Sequence, residues 1–128
     1  METSLNNEPK TVDTSMDSVV IKNAIETLTG GRSLDVTGFT PAVIKAGHVI
    51  IKETSTGNYK PMPVNSAGDA YGSMPASHTV EGVCMHTVLT KRAMVGIMVR
   101  GTVNEVASPF TPSSSMKTAL PLIRFTQD

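Results

Sequence analysis

The chain has 128 residues, 11 basic against 11 acidic side chains, 39% apolar residues and no tryptophan. That length suits one domain, or a small domain with a tail. Zero net charge argues against a binder that neutralises nucleic-acid phosphates, and no apolar run exceeds three residues, too short to span a membrane.

The opening Met1-Glu2-Thr3-Ser4-Leu5-Asn6-Asn7-Glu8 carries neither a basic region nor an apolar stretch, so no secretory signal is expected. A single cysteine, Cys84, cannot form an internal disulfide and fits a reducing cytoplasm. Threonine (16) and valine (14) supply 30 residues, beside 10 glycines and 8 prolines. β-Branched residues suit a pleated, half-buried surface, and frequent glycine and proline make short elements joined by turns. The expectation is a mainly β domain, a small sandwich or barrel. Five aromatic residues leave Val, Ile, Leu, Met and Ala to build the core, so oligomerisation or docking is expected to add burial.

Residues 1–17 carry Glu2, Glu8, Asp13 and Asp17 against Lys10, a local charge of −3 balanced by +3 on the other 111 residues. So polar a segment reads as a flexible N-terminal arm, with the folded domain over 18–128. Such an arm is a solubilising tail, a leftover of expression, or a segment that orders on a partner. Over 18–29, Asp17 and Gly30 would suit the ends of a helix, but Val19, Val20, Ile21, Thr27 and Thr29 favour a strand. Strand is the expectation. Gly30-Gly31 then makes a turn before Leu34 and Val36.

From Pro41 the pattern sharpens. Gly47 precedes an apolar strand, His48-Val49-Ile50-Ile51-Lys52, and Thr56-Gly57-Asn58 turns the chain into Tyr59-Lys60-Pro61. This is a hairpin whose second strand the prolines confine to an edge. Residues 65–78 read as a long loop, functional or mobile. Strands are expected over Val80–Val88 and Met94–Val103, joined by a turn at Leu89–Ala93. In the second, Val95, Ile97 and Val99 share one face and Met94, Gly96, Met98 and Arg100 the other, which predicts a central strand covered on both sides. Gly101 predicts a bulge or a close backbone approach. Ser113–Ser115 can cap a short helix over 116–120 that Pro121 stops. A last strand over 122–125 would put Leu122 and Arg124 on one face and Ile123 and Phe125 on the other.

Little in this chain points to chemistry. Cys84-Met85-His86 sets a thiol and an imidazole two apart on one strand face, but no second pair supplies a zinc set, and His48 and His78 lie elsewhere. The bland reading is a buried thiol beside a surface histidine. No base or oxyanion donor marks Cys84 as a nucleophile. Glu53, Asp69, Glu81 and Glu105 show no pairing, and Gly30-Gly31-Arg32-Ser33 lacks the spacing and lysine of a phosphate loop. Lys91-Arg92 reads as a solvated turn. The expectation is a protein that is not an enzyme and needs no cofactor or metal.

One ordered series goes beyond composition: Ala46-Gly47-His48-Val49-Ile50-Ile51, Thr56-Gly57-Asn58-Tyr59-Lys60-Pro61, Val80-Glu81-Gly82-Val83, then Ala93-Met94-Val95-Gly96-Ile97-Met98-Val99-Arg100-Gly101-Thr102-Val103-Asn104-Glu105. It resembles the head decoration (capsid cement) proteins of tailed bacteriophages, of the lambda type, over roughly residues 43–107. The tail 113–125 is also similar to this group and to phage head-fibre base proteins. The resemblance implies a mainly β domain, a homotrimer on the exterior of the virion capsid, made in the host cytoplasm. The major capsid protein would be its partner, with neither nucleic acid nor membrane. It also implies that the arm extends a capsid-protein sheet on binding, with Leu5 and Val12 as its apolar anchors. This chain departs from that pattern in its acidic arm and in residues 18–40, which do not align. The alternative is a non-enzymatic β-sandwich binding or adhesion module on a virion surface, taking carbohydrate or a receptor; for sugars it has only Tyr59 and Tyr71 as aromatic platforms.

Overall fold

A computed structural model describes residues 12–127. The centre of the fold grows from the Gly47 turn, where φ is +89° and an added Cβ would strike a methyl of Val20. Only glycine meets both demands. The β-branched run that follows forms β4 (Val49–Glu53), with Val49, Ile50 and Ile51 buried. At the turn, Glu53 N–H donates to the Asn58 carbonyl at 2.9 Å and Gly57 N–H to the Glu53 carbonyl at 2.8 Å. The chain returns as β5 (Tyr59–Pro61), the edge strand that its proline requires. On the other side of β4 lies β6 (His78–Cys84), whose Gly82 lets the Met98 carbonyl approach where any side chain would collide.

The expected strands over Val80–Val88 and Met94–Val103 are each divided. The first is β6 followed by β7 (Val88–Leu89), with Met85–Thr87 leaving the ladder. The second is β8 (Met94–Val95) and β9 (Ile97–Asn104), parted at Gly96, where the chain exchanges one sheet partner for another. β8 pairs with β2 (Arg32–Ser33), and β7 with β3 (Val43–Ile44). Met94 is consequently exposed, and Val99 is half-buried rather than a core residue. Val95 and Ile97 are buried as expected.

Beyond the long loop's first turn, Asn65 Oδ1 accepts from Gly68 N–H at 2.8 Å and Asp69 N–H at 3.2 Å, and its amide donates to Asp69 Oδ1 at 2.8 Å. Ser113 Oγ accepts from Met116 N–H at 3.4 Å and caps α2 (Ser114–Ala119). The chain ends in β10 (Ile123–Thr126), parallel to β9.

At the other end, residues 17–29 correct the expectation of one strand. Val19 and Val20 N–H groups donate to the Met16 carbonyl at 3.0 and 2.9 Å, making a single helical turn, α1 (Asp17–Val20), before β1 (Ile21–Thr27). The turn is stabilised by tertiary contact: Val20 is buried over Gly47, and Asp17 is bound by Thr87. Asp17, assigned to the arm on composition, thus belongs to the folded body.

The main sheet has six strands, in the order β1-β9-β6-β4-β5 with β10 also on β9. Alternation sends neighbouring residues to opposite faces: Ile51, Val83 and Met98 to one core, Ile50, Cys84 and Ile97 to the other. Met116, Leu120 and Ile123 close the first core, while Ile44, Val88 and Val95 of the two short ladders pack over the second. The domain is mainly β, a small sandwich with one short C-terminal helix, as the composition predicts.

Candidate functional site

The first described residues meet the body at a charged latch. Thr87 donates to Asp17 twice, from N–H to Oδ2 at 2.9 Å and from its hydroxyl to Oδ1 at 2.5 Å, and the same hydroxyl oxygen accepts from Ala46 N–H at 3.2 Å. Four residues earlier, Asp13 Oδ1 accepts from Ser15 N–H at 2.9 Å, and the Ser15 hydroxyl, together with that N–H, holds its carboxyl below the ordinary range. Of the two expected anchors, Val12 is half-buried and Leu5 lies outside the described residues.

Beside β9 the sheet has a wing, made of β1, the end of β9 and β10. Pairing puts Ile21, Val103 and Phe125 in one row and Ala24, Gly101 and Ile123 in the next; Ile21, Val103, Ile123 and Phe125 pack on the first core, while Ala24 is exposed. The opposite face carries Asn23, Thr102 and Arg124 in a row, then Glu26 beside Arg100, and Leu122 lies in the turn just before β10. Every one of these outward residues except half-buried Thr102 is exposed. β1 itself is exposed from Lys22 to Thr27 and irregular in register at three places, which blunts its free edge. Gly101 accounts for part of that irregularity: its φ is +156°, and an added Cβ would strike the Asn23 carbonyl.

A third feature left no mark in the sequence. His48 is 1% exposed, and Phe39, Tyr71 and Phe110 meet its ring edge-on at centroid distances of 5.6, 5.2 and 5.7 Å. Its Nε2 lies 2.9 Å from the Met62 carbonyl, so the neutral ring donates there. Burial lowers its pKa to about 4. The Tyr71 hydroxyl oxygen accepts from Val49 N–H at 2.9 Å, and burial raises its pKa. Next to this cluster, Met62, Tyr71, Met74, Val80 and Met116 line an apolar cleft of about 770 Å³ between β6, α2 and the 70–74 loop.

The chemistry-bearing residues are held apart. Cys84 and His86 do not share a strand face, because β6 ends at Cys84; the thiol is buried and donates to the His86 carbonyl at 3.0 Å while His86 is exposed. Burial pushes that thiol up to about 12, which keeps it protonated. Each of the four carboxylates Glu53, Asp69, Glu81 and Glu105 has its own neighbour: Glu53 meets Lys60 at 3.2 Å, Glu105 meets Lys117 at 2.6 Å, Asp69 holds Asn65, and Glu81 accepts from Thr79 at 2.8 Å. Arg32 of the double-glycine turn bonds the Thr29 and Gly31 carbonyls and lies 5.6 Å from the Tyr59 ring centre, shared with Lys52 at 5.5 Å. Lys91-Arg92 forms an exposed 3₁₀ turn. Among the described residues, no three His, Cys, Asp or Glu side chains gather as a metal set, and no helix is long and apolar enough to cross a membrane.

Comparison with known families, curated proteins and solved structures finds no match to this chain.

Proposed function

We propose that this chain is a structural virion protein of the capsid-decoration kind, a homotrimer that binds the outside of a phage shell and bridges neighbouring subunits of the major capsid protein. The observation that supports this reading is the ordered motif series. Its segments supply β4, β5, β6 and β9, consecutive hydrogen-bonded neighbours in one sheet. Bridging needs no bond chemistry, because several modest contacts made together add up to strong attachment. Such a protein is made in the host cytoplasm and resides on the capsid exterior.

The arm supplies attachment in this reading, through backbone pairing and through Leu5 and Val12. The test is cosedimentation with expanded, emptied heads of tailed phages, using the full chain and a chain lacking residues 1–11. The shorter deletion matters because removal through Asp17 would also break the Thr87 latch. The full chain should bind and the truncated chain should lose at least about tenfold in affinity, with a weaker salt dependence if the acidic side chains meet a basic rim. Equal decoration by both chains would overturn the role of the arm. Failure of the full chain to bind would overturn the reading itself.

The methionine-lined cleft favours one second reading, an adhesion module that takes an apolar segment of a receptor. A carbohydrate ligand has less support, since Tyr59 is covered by Arg32 and Lys52, and Tyr71 is committed to Val49.

A further inference from the structure

The wing stands out because its two faces are treated differently. On its inner side Ile21, Val103, Ile123 and Phe125 pack on the first core, but none of the described residues forms a layer over its outer face, although the same sheet is covered on that side by the short ladders nearer its centre. The outer face holds charges of both signs. Glu26 and Arg100 are paired residues across β1 and β9, and Arg124 stands one row away, yet the ion pairs among the described residues are Lys60–Glu53 and Lys117–Glu105. Large apolar side chains are exposed beside these charges: Leu122, the residue before β10, is 60% exposed, and Ile25, unpaired between Ala24 and Glu26, 59% exposed. The chain as a whole has no net charge to keep copies apart.

From this arrangement we infer that the outer face of β1, β9 and β10 is the contact surface for a second copy of the same chain, with Glu26 of one copy paired with Arg100 or Arg124 of the next and Leu122, beside the start of β10, desolvated in the contact. A face with both signs lets Glu26 of each copy meet Arg100 or Arg124 of the next head to tail, a contact that closes into a ring of three, whereas a shell surface or an unrelated protein would need a matching pattern of its own. Charges left without partners in one copy find them in another without burying an unmatched group. The isoleucine and leucine supply the apolar area that charge pairs alone do not. This inference rests on the trimer in the proposed function and names the surface that would build it.

The test is sedimentation velocity of the full chain over about a hundredfold range of concentration. Four proteins are compared: the unaltered chain, Glu26→Arg, the double variant Arg100→Glu with Arg124→Glu, and Leu122→Asp. All the substitutions are on exposed positions, and a thermal melt of each checks that it folds. The unaltered chain should associate, and each variant should dissociate at concentrations at least about tenfold higher. Mixing Glu26→Arg protein with the double variant should restore association in part, since two of the three contacts in a mixed ring of three then join opposite charges, an effect that loss of folding cannot produce. If the unaltered chain associates and folded variants associate equally tightly, the surface is wrong while the trimer stands. If the unaltered chain stays monomeric throughout, both the surface and the trimer fail.

Discussion

Ile50 and Ile25 are isoleucines in strands of the same sheet, yet the first is 0% exposed and the second 59%. β4, which holds Ile50, has a neighbour on each edge and a core on each face. β1, which holds Ile25, reaches the first core through Ile21 and has no described residue packed over its outer face. Strand propensity is the same in both places; burial is not. The centre of the sandwich therefore carries the stability of a single chain, while the outer wing is free to serve an interface.

Substitution can break this contrast in order of size. Val95→Asp puts a charge into the second core, where Val95 is 5% exposed. Denaturant titration should show a loss of about 3–5 kcal/mol, if the variant folds at all. The next effect comes from acid. His48 has an ordinary value of 6.5 when exposed and about 4 in its aromatic surroundings. Between those values the unfolded chain binds more protons, so stability is fully present above the first and declines as pH falls toward the second. The loss should approach roughly 3 kcal/mol in chemical denaturation across that window. A His48→Gln variant, which keeps a donor for the Met62 carbonyl, should lack that part of the slope.

A smaller change sharpens the comparison within the wing. Gly101→Ala should cost about 2 kcal/mol in the same titration, because the new Cβ meets the Asn23 carbonyl at a φ of +156°. Ile25→Thr, by contrast, should move the stability of the monomer by less than about 0.5 kcal/mol. A large loss at Ile25 would show that the outer wing matters to the single chain after all.

What the sequence made legible follows the same line. The Gly47 and Thr56-Gly57 turns, the edge strand ending at Pro61 and the Ser113 cap are local, since each depends on residues a few positions apart. The breaks at Gly96 and at Met85–Thr87 were missed because the chain stays extended and apolar through both, so its alternation hides an exchange of partners. The helical turn at Asp17 depends on Thr87, 70 residues away, and the ring around His48 comes from positions 39, 71 and 110. No periodicity can report such meetings. The candidate interface was legible only in part: the alternation of residues 122–125 put Leu122 and Arg124 on one face, but their alignment with Arg100 and Glu26 needed the register.

β9 receives β1 on one edge and β10 on the other, so Ile21 pairs with Val103, and Val103 in turn with Phe125. During synthesis the first of these strands must wait for residue 103 to clear the ribosome, and the ladder is complete only when the segment around 125 has followed. A nascent chain stopped short of β10 would carry its first core open, with Val103 and Met98 lacking the cover of Ile123. Contacts so distant in sequence slow the conformational search, and refolding on the millisecond-to-second scale of non-local β domains is the consequence.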